Sequence, residues 1–230
     1  MADTNDKKPQ YGAFASSPCM AHEVDPTYFD PLAADPDQAQ DVARWRKATR
    51  RELRAVRKSL SVDEHAAASD RIAAHLRAFL QDRFDGAAGR TLAMYWPIKG
   101  EPDLRLLMAE LHRTGVTIAL PLVETKAAPL AFRLWTPETK MVRGDWNIPV
   151  PPADAKQVTP DIALAPLVGW DGEHYRLGYG GGYFDRTLAV LDSALFKIGI
   201  GYASARLPTI YPQPHDIAMD LIFTEDGIVG

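Results

Sequence analysis

The chain is 230 residues long, 46% apolar and 24% charged, which suits one globular domain with a core of its own. Its formal net charge is −4, so no overall positive field draws it onto nucleic acid or an anionic membrane, and any anion site must be a local cluster of positive charge. The single cysteine, Cys19, excludes an intrachain disulfide; no stretch reaches the about 20 apolar residues that span a bilayer, residues 1–10 show no signal-peptide pattern, and a cytoplasmic location is the default expectation.

Residues 1–41 hold Pro9, Pro18, Pro26, Pro31, Pro36 and Gly12 without a helical or strand period, and read as an irregular N-terminal extension. Residues 42–230 read as a single α/β domain. Its first helix is expected over residues 41–60, where Trp45, Thr49, Leu53, Val56 and Leu60 recur at helical spacing. Asp41 is the expected N-cap. A second helix is expected from Ser61 to about residue 83, because Ser61-Val62-Asp63-Glu64 matches a capping box. Strands are expected at residues 91–98, 117–123, 130–136, 162–170, 197–202 and 221–224, and helices at 104–112 and 183–191. Short apolar runs alternating with helices imply a mostly parallel sheet with helices on both faces. Ligands in such sheets bind beyond the carboxyl ends of the strands.

The most informative stretch is Arg176-Leu177-Gly178-Tyr179-Gly180-Gly181-Gly182-Tyr183-Phe184-Asp185. Four glycines in five positions let the backbone turn tightly and approach a ligand closely. Successive N–H groups, followed by a helix N-terminus, can then face phosphate oxygens. Arg176 adds a fork of donors. Asp185, in the first turn of the following helix, can reach a phosphate-bound Mg²⁺. No Gly-Lys-Ser/Thr closes the run, so it is not a Walker A loop.

The run YRLGYGGGYFDR resembles the signature of the 5-formyltetrahydrofolate cyclo-ligase family, whose loop commonly reads RLGxGxGYYD. The resemblance extends in order to the basic first helix, YWPIKGEPD, WNIPVP and PHDIAMD, from about residue 44 to the end. It implies ATP- and Mg²⁺-dependent conversion of 5-formyltetrahydrofolate to 5,10-methenyltetrahydrofolate through a phosphorylated formyl intermediate, with ATP as co-substrate and a small-molecule folate as partner. It implies that Arg176, Gly178, Tyr179, Gly180, Gly181, Gly182 and Tyr183 cradle ATP, with Tyr179 and Tyr183 also bordering the folate. Asp185 and Asp220 match the family's metal-associated carboxylates. Arg46 and Arg50 fall on the first helix's ATP-contacting pattern, in which Arg46 stands for the usual Lys and Thr49 for the usual Leu. Arg46, Arg50, Arg54 and Arg57 form one basic stripe beside the apolar one. Glu101, Trp96 and Trp146 match folate-contacting positions. Val150 replaces a Glu often found after the isoleucine of WNIP.

Two other readings stay open from sequence: a relative that binds folate and nucleotide without turnover, and an ATP-dependent enzyme acting on a different formylated or pterin-like substrate. Cys19, His22 and Glu23 lack the partners of a metal site. No serine stands in a GxSxG context, which argues against an α/β-hydrolase.

Overall fold

The computed structural model describes residues 36–191 and 193–229. The expectations for residues 1–35, including Cys19, His22 and Glu23, lie outside them. The first helix, α1 (Pro36–Ser59), starts before the expected boundary. Residues 36–41, assigned to the irregular extension, are helical, and Asp41 lies inside the helix rather than capping it. Proline is compatible with a first helical turn, where its missing N–H would have no intrahelical acceptor. The Asp41 carboxylate pairs with Arg44 instead. The second helix, α2 (Val62–Phe84), is capped as expected. The Ser61 hydroxyl accepts the Glu64 N–H at 3.2 Å, and Glu64 Oε2 accepts the Ser61 N–H at 2.8 Å.

The chain continues through β1 (Thr91–Ala93), α3 (Arg105–Arg113), β2 (Thr117–Leu122), β3 (Ala131–Trp135), β4 (Val142–Arg143) and β5 (Pro149–Val150). It is completed by β6 (Ile162–Pro166), β7 (Gly169–Asp171), β8 (Arg176–Leu177), α4 (Tyr183–Val190), β9 (Phe196–Ile200), β10 (Arg206–Leu207), β11 (Leu221–Thr224) and β12 (Gly227–Val229). Seven strands form the main sheet in the order β12-β11-β9-β6-β1-β2-β3. The inner strands are parallel, and β12 and β3 are antiparallel edges.

Strand alternation sorts the side chains by size. Leu92, Ile118, Ile162, Leu164, Ile198 and Ile200 pack against Ile72, Leu76 and Leu80 of α2 and against Leu107, Met108 and Leu111 of α3. The opposite face presents Ala93, Ala119, Ala163 and Ala165, which share a cluster with Leu188 of α4 and Leu53 of α1. Small residues on that face allow close approach of the elements that carry the glycine loop. Both faces are covered, as the alternating pattern implies.

The expected strand at residues 162–170 is in fact two. Pro166 lacks the N–H needed to continue a ladder, and the chain leaves the main sheet after it. The Leu167 N–H still donates to Ile200 at 2.9 Å, but the Val168 N–H turns to Leu177 at 2.8 Å. β7 then joins β8 and β10 in a separate small sheet. A Cβ on Gly169 would lie 2.6 Å from Leu53 Cδ1 and 3.1 Å from Leu207 Cδ1, so a larger residue would have to displace these leucine side chains between β7 and α1. The run at residues 91–98 is likewise shorter as a strand, ending at Ala93, although the Met94 N–H still donates to Ala119 at 2.9 Å.

Leu76 is fully buried and Leu106 is 83% exposed. Leu76→Ala is expected to lower unfolding free energy by about 3 kcal/mol, and Leu106→Ala by less than about 0.5 kcal/mol, in urea titrations followed by circular dichroism. Equal losses would show that the assigned core is not the one holding the sheet together.

Candidate active site

Beyond the carboxyl end of β1, the chain makes a tight turn through Lys99 (φ 49°) and Gly100 (φ 76°). The Glu101 N–H closes it on Ile98 at 2.9 Å. The turn folds the Glu101 side chain inward, where Oε2 accepts the Ile98 N–H at 2.9 Å. Glu101 is 2% exposed, and Oε1 has no hydrogen-bond partner among the described residues. Burial pushes this carboxyl up to about 7, against the opposing pull of the Ile98 N–H, the Arg57 guanidinium, the Tyr179 hydroxyl and the Lys99 ammonium. The Tyr179 hydroxyl lies within reach of this carboxyl and acts on it electrostatically.

The basic stripe of α1 runs along the same pocket. Arg57 is buried; Nη2 donates to the Leu167 carbonyl at 2.5 Å and Nη1 to the Tyr179 hydroxyl at 3.2 Å. Its guanidinium also lies 5.8 Å from the centre of the Tyr202 ring, and the Tyr202 hydroxyl donates to the Gly100 carbonyl at 3.0 Å. The Tyr179 ring is flanked by Arg54 at 5.7 Å and Lys99 at 5.4 Å. Burial raises both tyrosine hydroxyls above their ordinary range. One turn earlier, Arg50 Nε donates to the Gly178 carbonyl at 2.7 Å.

Asp171 sets the approach to the loop. Its carboxylate accepts the Tyr175 N–H at 3.1 Å and the Ile210 N–H at 2.9 Å, joining the turn before β8 to the segment at residues 210–219. Arg176 and Leu177 are a short strand rather than loop. Gly180 (φ 102°) and Gly182 (φ 63°) then occupy backbone conformations that favour glycine. Among the described residues, no acceptor takes the N–H groups of Gly180, Gly181 or Gly182. Arg176 Nη2 lies 2.7 Å from Asp185 Oδ2, but the alignment leaves Nε and Nη2 without a satisfied hydrogen bond. Asp185 Oδ1 also accepts the Ile217 N–H at 3.4 Å. Trp146 (φ 52°) is 59% exposed and meets Tyr183 edge-on at 5.5 Å, at the rim of the loop.

The structure therefore brings together Arg50, Glu101, Trp146, Arg176, Asp185 and the loop from Gly178 to Tyr183. Two expected residues take other places. Arg46 was expected on phosphate, but it donates to Ile210 and Tyr211 carbonyls at 3.0 and 2.8 Å and to Asp216 at 2.5 and 3.2 Å. It clamps the 210–219 segment onto α1. Asp220 was expected on the metal, but it precedes β11 at the amino end of the parallel strands. There its carboxylate binds the Lys197 N–H at 2.6 Å and Lys197 Nζ at 3.1 Å. Trp96 is half-buried, packed against the core with the Arg105 guanidinium 5.3 Å from its ring centre.

Sequence reasoning missed Asp216, Lys99 and Tyr202, and placed Arg57 on the stripe without giving it a role. Asp216 is the buried carboxylate next to Ile217, whose N–H reaches Asp185. The strand beginning directly after Asp220 was the available signal that this residue belongs to sheet register instead.

The fold and site define a class: an α/β protein in which a glycine-rich loop and a buried carboxylate meet beyond the carboxyl ends of a parallel sheet. The model of the 5-formyltetrahydrofolate cyclo-ligase family matches residues 42–225. The chain belongs to this family. It is similar to the Haemophilus influenzae protein named 5-formyltetrahydrofolate cyclo-ligase, with 26% identity over 76% of this chain and 94% of that one. It resembles the Mycolicibacterium smegmatis protein of the same name at 31% identity, over 62% of this chain and 78% of the relative. Among solved structures, a 5,10-methenyltetrahydrofolate synthetase from Mycoplasma pneumoniae superposes with TM-score 0.65 and 27% identity, covering 78% of this chain and 98% of that one. The Aquifex aeolicus synthetase gives TM-score 0.67 and 26% identity, covering 80% and 91%.

The Glu101 environment has a consequence for pH. A carboxyl raised on folding contributes stability that is fully present below its unfolded value and is lost as pH rises through the folded one. The window here runs from the ordinary value of 4.5 to about 7. Glu101→Gln is expected to gain in thermal midpoint relative to the wild type as pH rises across that window. Parallel pH profiles of the two proteins would contradict the buried setting of the carboxyl.

Proposed function

We propose that this site converts 5-formyltetrahydrofolate to 5,10-methenyltetrahydrofolate while ATP becomes ADP and phosphate. One observation carries the reading: Tyr179 belongs to the glycine loop, yet its hydroxyl takes a hydrogen bond from Arg57 and sits against the buried Glu101 carboxyl. A phosphate site and a site for a flat heterocycle bearing N–H donors thus share one residue.

The chemistry needs this adjacency. The formyl oxygen attacks the γ-phosphorus, the bond to ADP breaks, and an O-phosphorylated imidate forms. N10 then attacks the formyl carbon and loses its proton, and the carbon–oxygen bond breaks to release phosphate. An amide-type oxygen leaves poorly; phosphorylation makes it a good leaving group. The protein's task is positioning and charge stabilisation. Glu101 accepts N–H groups of the pterin, while the Tyr179 and Tyr183 rings border it. The loop N–H groups and the Arg176 guanidinium receive phosphate oxygens. Arg50 and Arg57 hold the loop and Tyr179 in place.

The Asp185 carboxylate suits Mg²⁺, which takes one or two protein carboxylates and fills its shell with phosphate and water oxygens; Asp216, whose oxygens accept from Arg46 and the Gln213 N–H, would add a second only by giving up part of that pairing. Among the described residues no group of three or more His, Cys, Asp or Glu residues gathers, and a phosphate-borne Mg²⁺ needs none. When bound, the ion would neutralise phosphate charge. The reading takes residues 42–230 as one catalytic unit, since α1 and the 210–219 segment frame the same pocket. No helix among the described residues is long and apolar enough to cross a membrane.

The test is absorbance in the methenyltetrahydrofolate band with purified protein, 5-formyltetrahydrofolate, Mg²⁺ and ATP. An ATP-dependent rise is expected. Asp185→Asn should lower the rate by about 100-fold or more, whereas Asp220→Asn should leave it within about twofold. No rise with wild-type protein that binds both ligands in calorimetry would refute the reading.

A further inference from the structure

We propose that Arg186 is the residue that orients the glycine loop for phosphate, a positioning role that rests on the ATP reading above. In a planar trans peptide the carbonyl of one residue and the N–H of the next point in opposite directions. Arg186 Nη2 donates to the Gly181 carbonyl at 2.6 Å. With that carbonyl held toward α4, the Gly182 N–H faces the other way. Arg50 does the same from α1: by holding the Gly178 carbonyl at 2.7 Å, it turns the Tyr179 N–H away from itself. The two ends of the loop are thus set by guanidinium groups from two different helices. Between them, positive φ at Gly180 and Gly182 lets successive N–H groups converge into an anion nest.

Arg186 is itself braced. Its backbone N–H donates to the Gly182 carbonyl at 3.0 Å, so its main chain and side chain hold adjacent carbonyls. Its guanidinium lies 5.1 Å from the centre of the Tyr183 ring. The Tyr183 hydroxyl accepts the Ala127 N–H at 3.3 Å, which ties the ring to a loop outside α4. A Cβ on Gly181 would lie 3.0 Å from the Tyr183 ring, so a side chain at this position would press on the ring that Arg186 braces. A lysine could donate to the carbonyl but could not lie flat on the ring.

The test uses the full-length ¹⁵N-labelled protein, titrated with ATP and Mg²⁺, as wild type, Arg186→Gln and Arg186→Lys. Calorimetry with 5-formyltetrahydrofolate runs in parallel. ATP is expected to shift the Gly182 amide resonance in the wild type. Arg186→Gln should move that resonance already in the ligand-free protein and weaken ATP binding by about tenfold, the scale of one charge-assisted hydrogen bond. Its affinity for the folate should stay within about twofold, and Arg186→Lys should recover part of the ATP affinity. A ligand-free Gly182 resonance unchanged in Arg186→Gln, or wild-type ATP affinity in that variant, would overturn the proposal. Equal weakening of both ligands would reduce Arg186 to a general structural role and overturn it as well. ATP that binds the wild type without moving any amide from residue 178 to 182 would overturn the loop reading itself; loop amides that move alike in wild type and Arg186→Gln would overturn only the role of Arg186.

Discussion

The pocket depends on the Arg57 guanidinium. It must offset a buried carboxylate, Glu101, and hold the Tyr179 hydroxyl while remaining inside the protein itself. Burying either charge alone costs several kcal/mol, and the cost falls only when partners are fixed around it. Arg57 meets this condition through the Leu167 carbonyl and the Tyr202 ring. Its place in the last turn of α1 adds a favourable interaction with the helix dipole. Glu101 gains an electrostatic partner without losing the free edge of its carboxyl, which is the edge a ligand N–H can use.

The topology explains why these groups meet. Parallel strands deliver β1, β6 and β9 to the same edge of the sheet, so Glu101, Leu167 and Tyr202 follow one another there in space though not in sequence. The departure of the chain at Pro166 creates a second, smaller sheet, and β8 of that sheet launches the glycine loop toward α1. Close contact between Gly169 and Leu53 sets the distance. The remaining arginines of the stripe divide the work: Arg50 fixes the loop and Arg54 flanks Tyr179, while Arg46 secures the 210–219 segment that carries Asp216.

Features with a local cause were legible in the sequence. The capping box at Ser61 and Glu64, the alternating apolar runs and the glycine loop depend on neighbours within a few residues; the capping box forms as read, while the runs at 91–98 and 162–170 are shortened or divided as strands and Arg176 and Leu177 belong to β8. The side-by-side placement of the arginines at 46, 50, 54 and 57 followed from helical geometry alone. Their separate partners did not, because those belong to the residue just after β6, the loop and residues 210–219. The place of Asp220 was hidden for the same reason: only the register of β11 against β9 shows that it lies at the opposite edge of the sheet. The early start of α1 was hidden by the prolines before residue 41, which read as irregular although Pro36 suits a first turn. Glu101 was legible as a candidate only through the family resemblance; its burial depends on the left-handed turn at Lys99 and Gly100 and on α1 covering it.

The most direct measurement is a double-mutant cycle on stability at pH 8, with Arg57→Met, Glu101→Gln and the double variant compared by denaturant unfolding. If Arg57 offsets the Glu101 charge, Arg57→Met should cost about 1 kcal/mol or more beyond its cost in the Glu101→Gln background. Additive effects, with no coupling between the two sites, would contradict the claim that this pair organises the pocket.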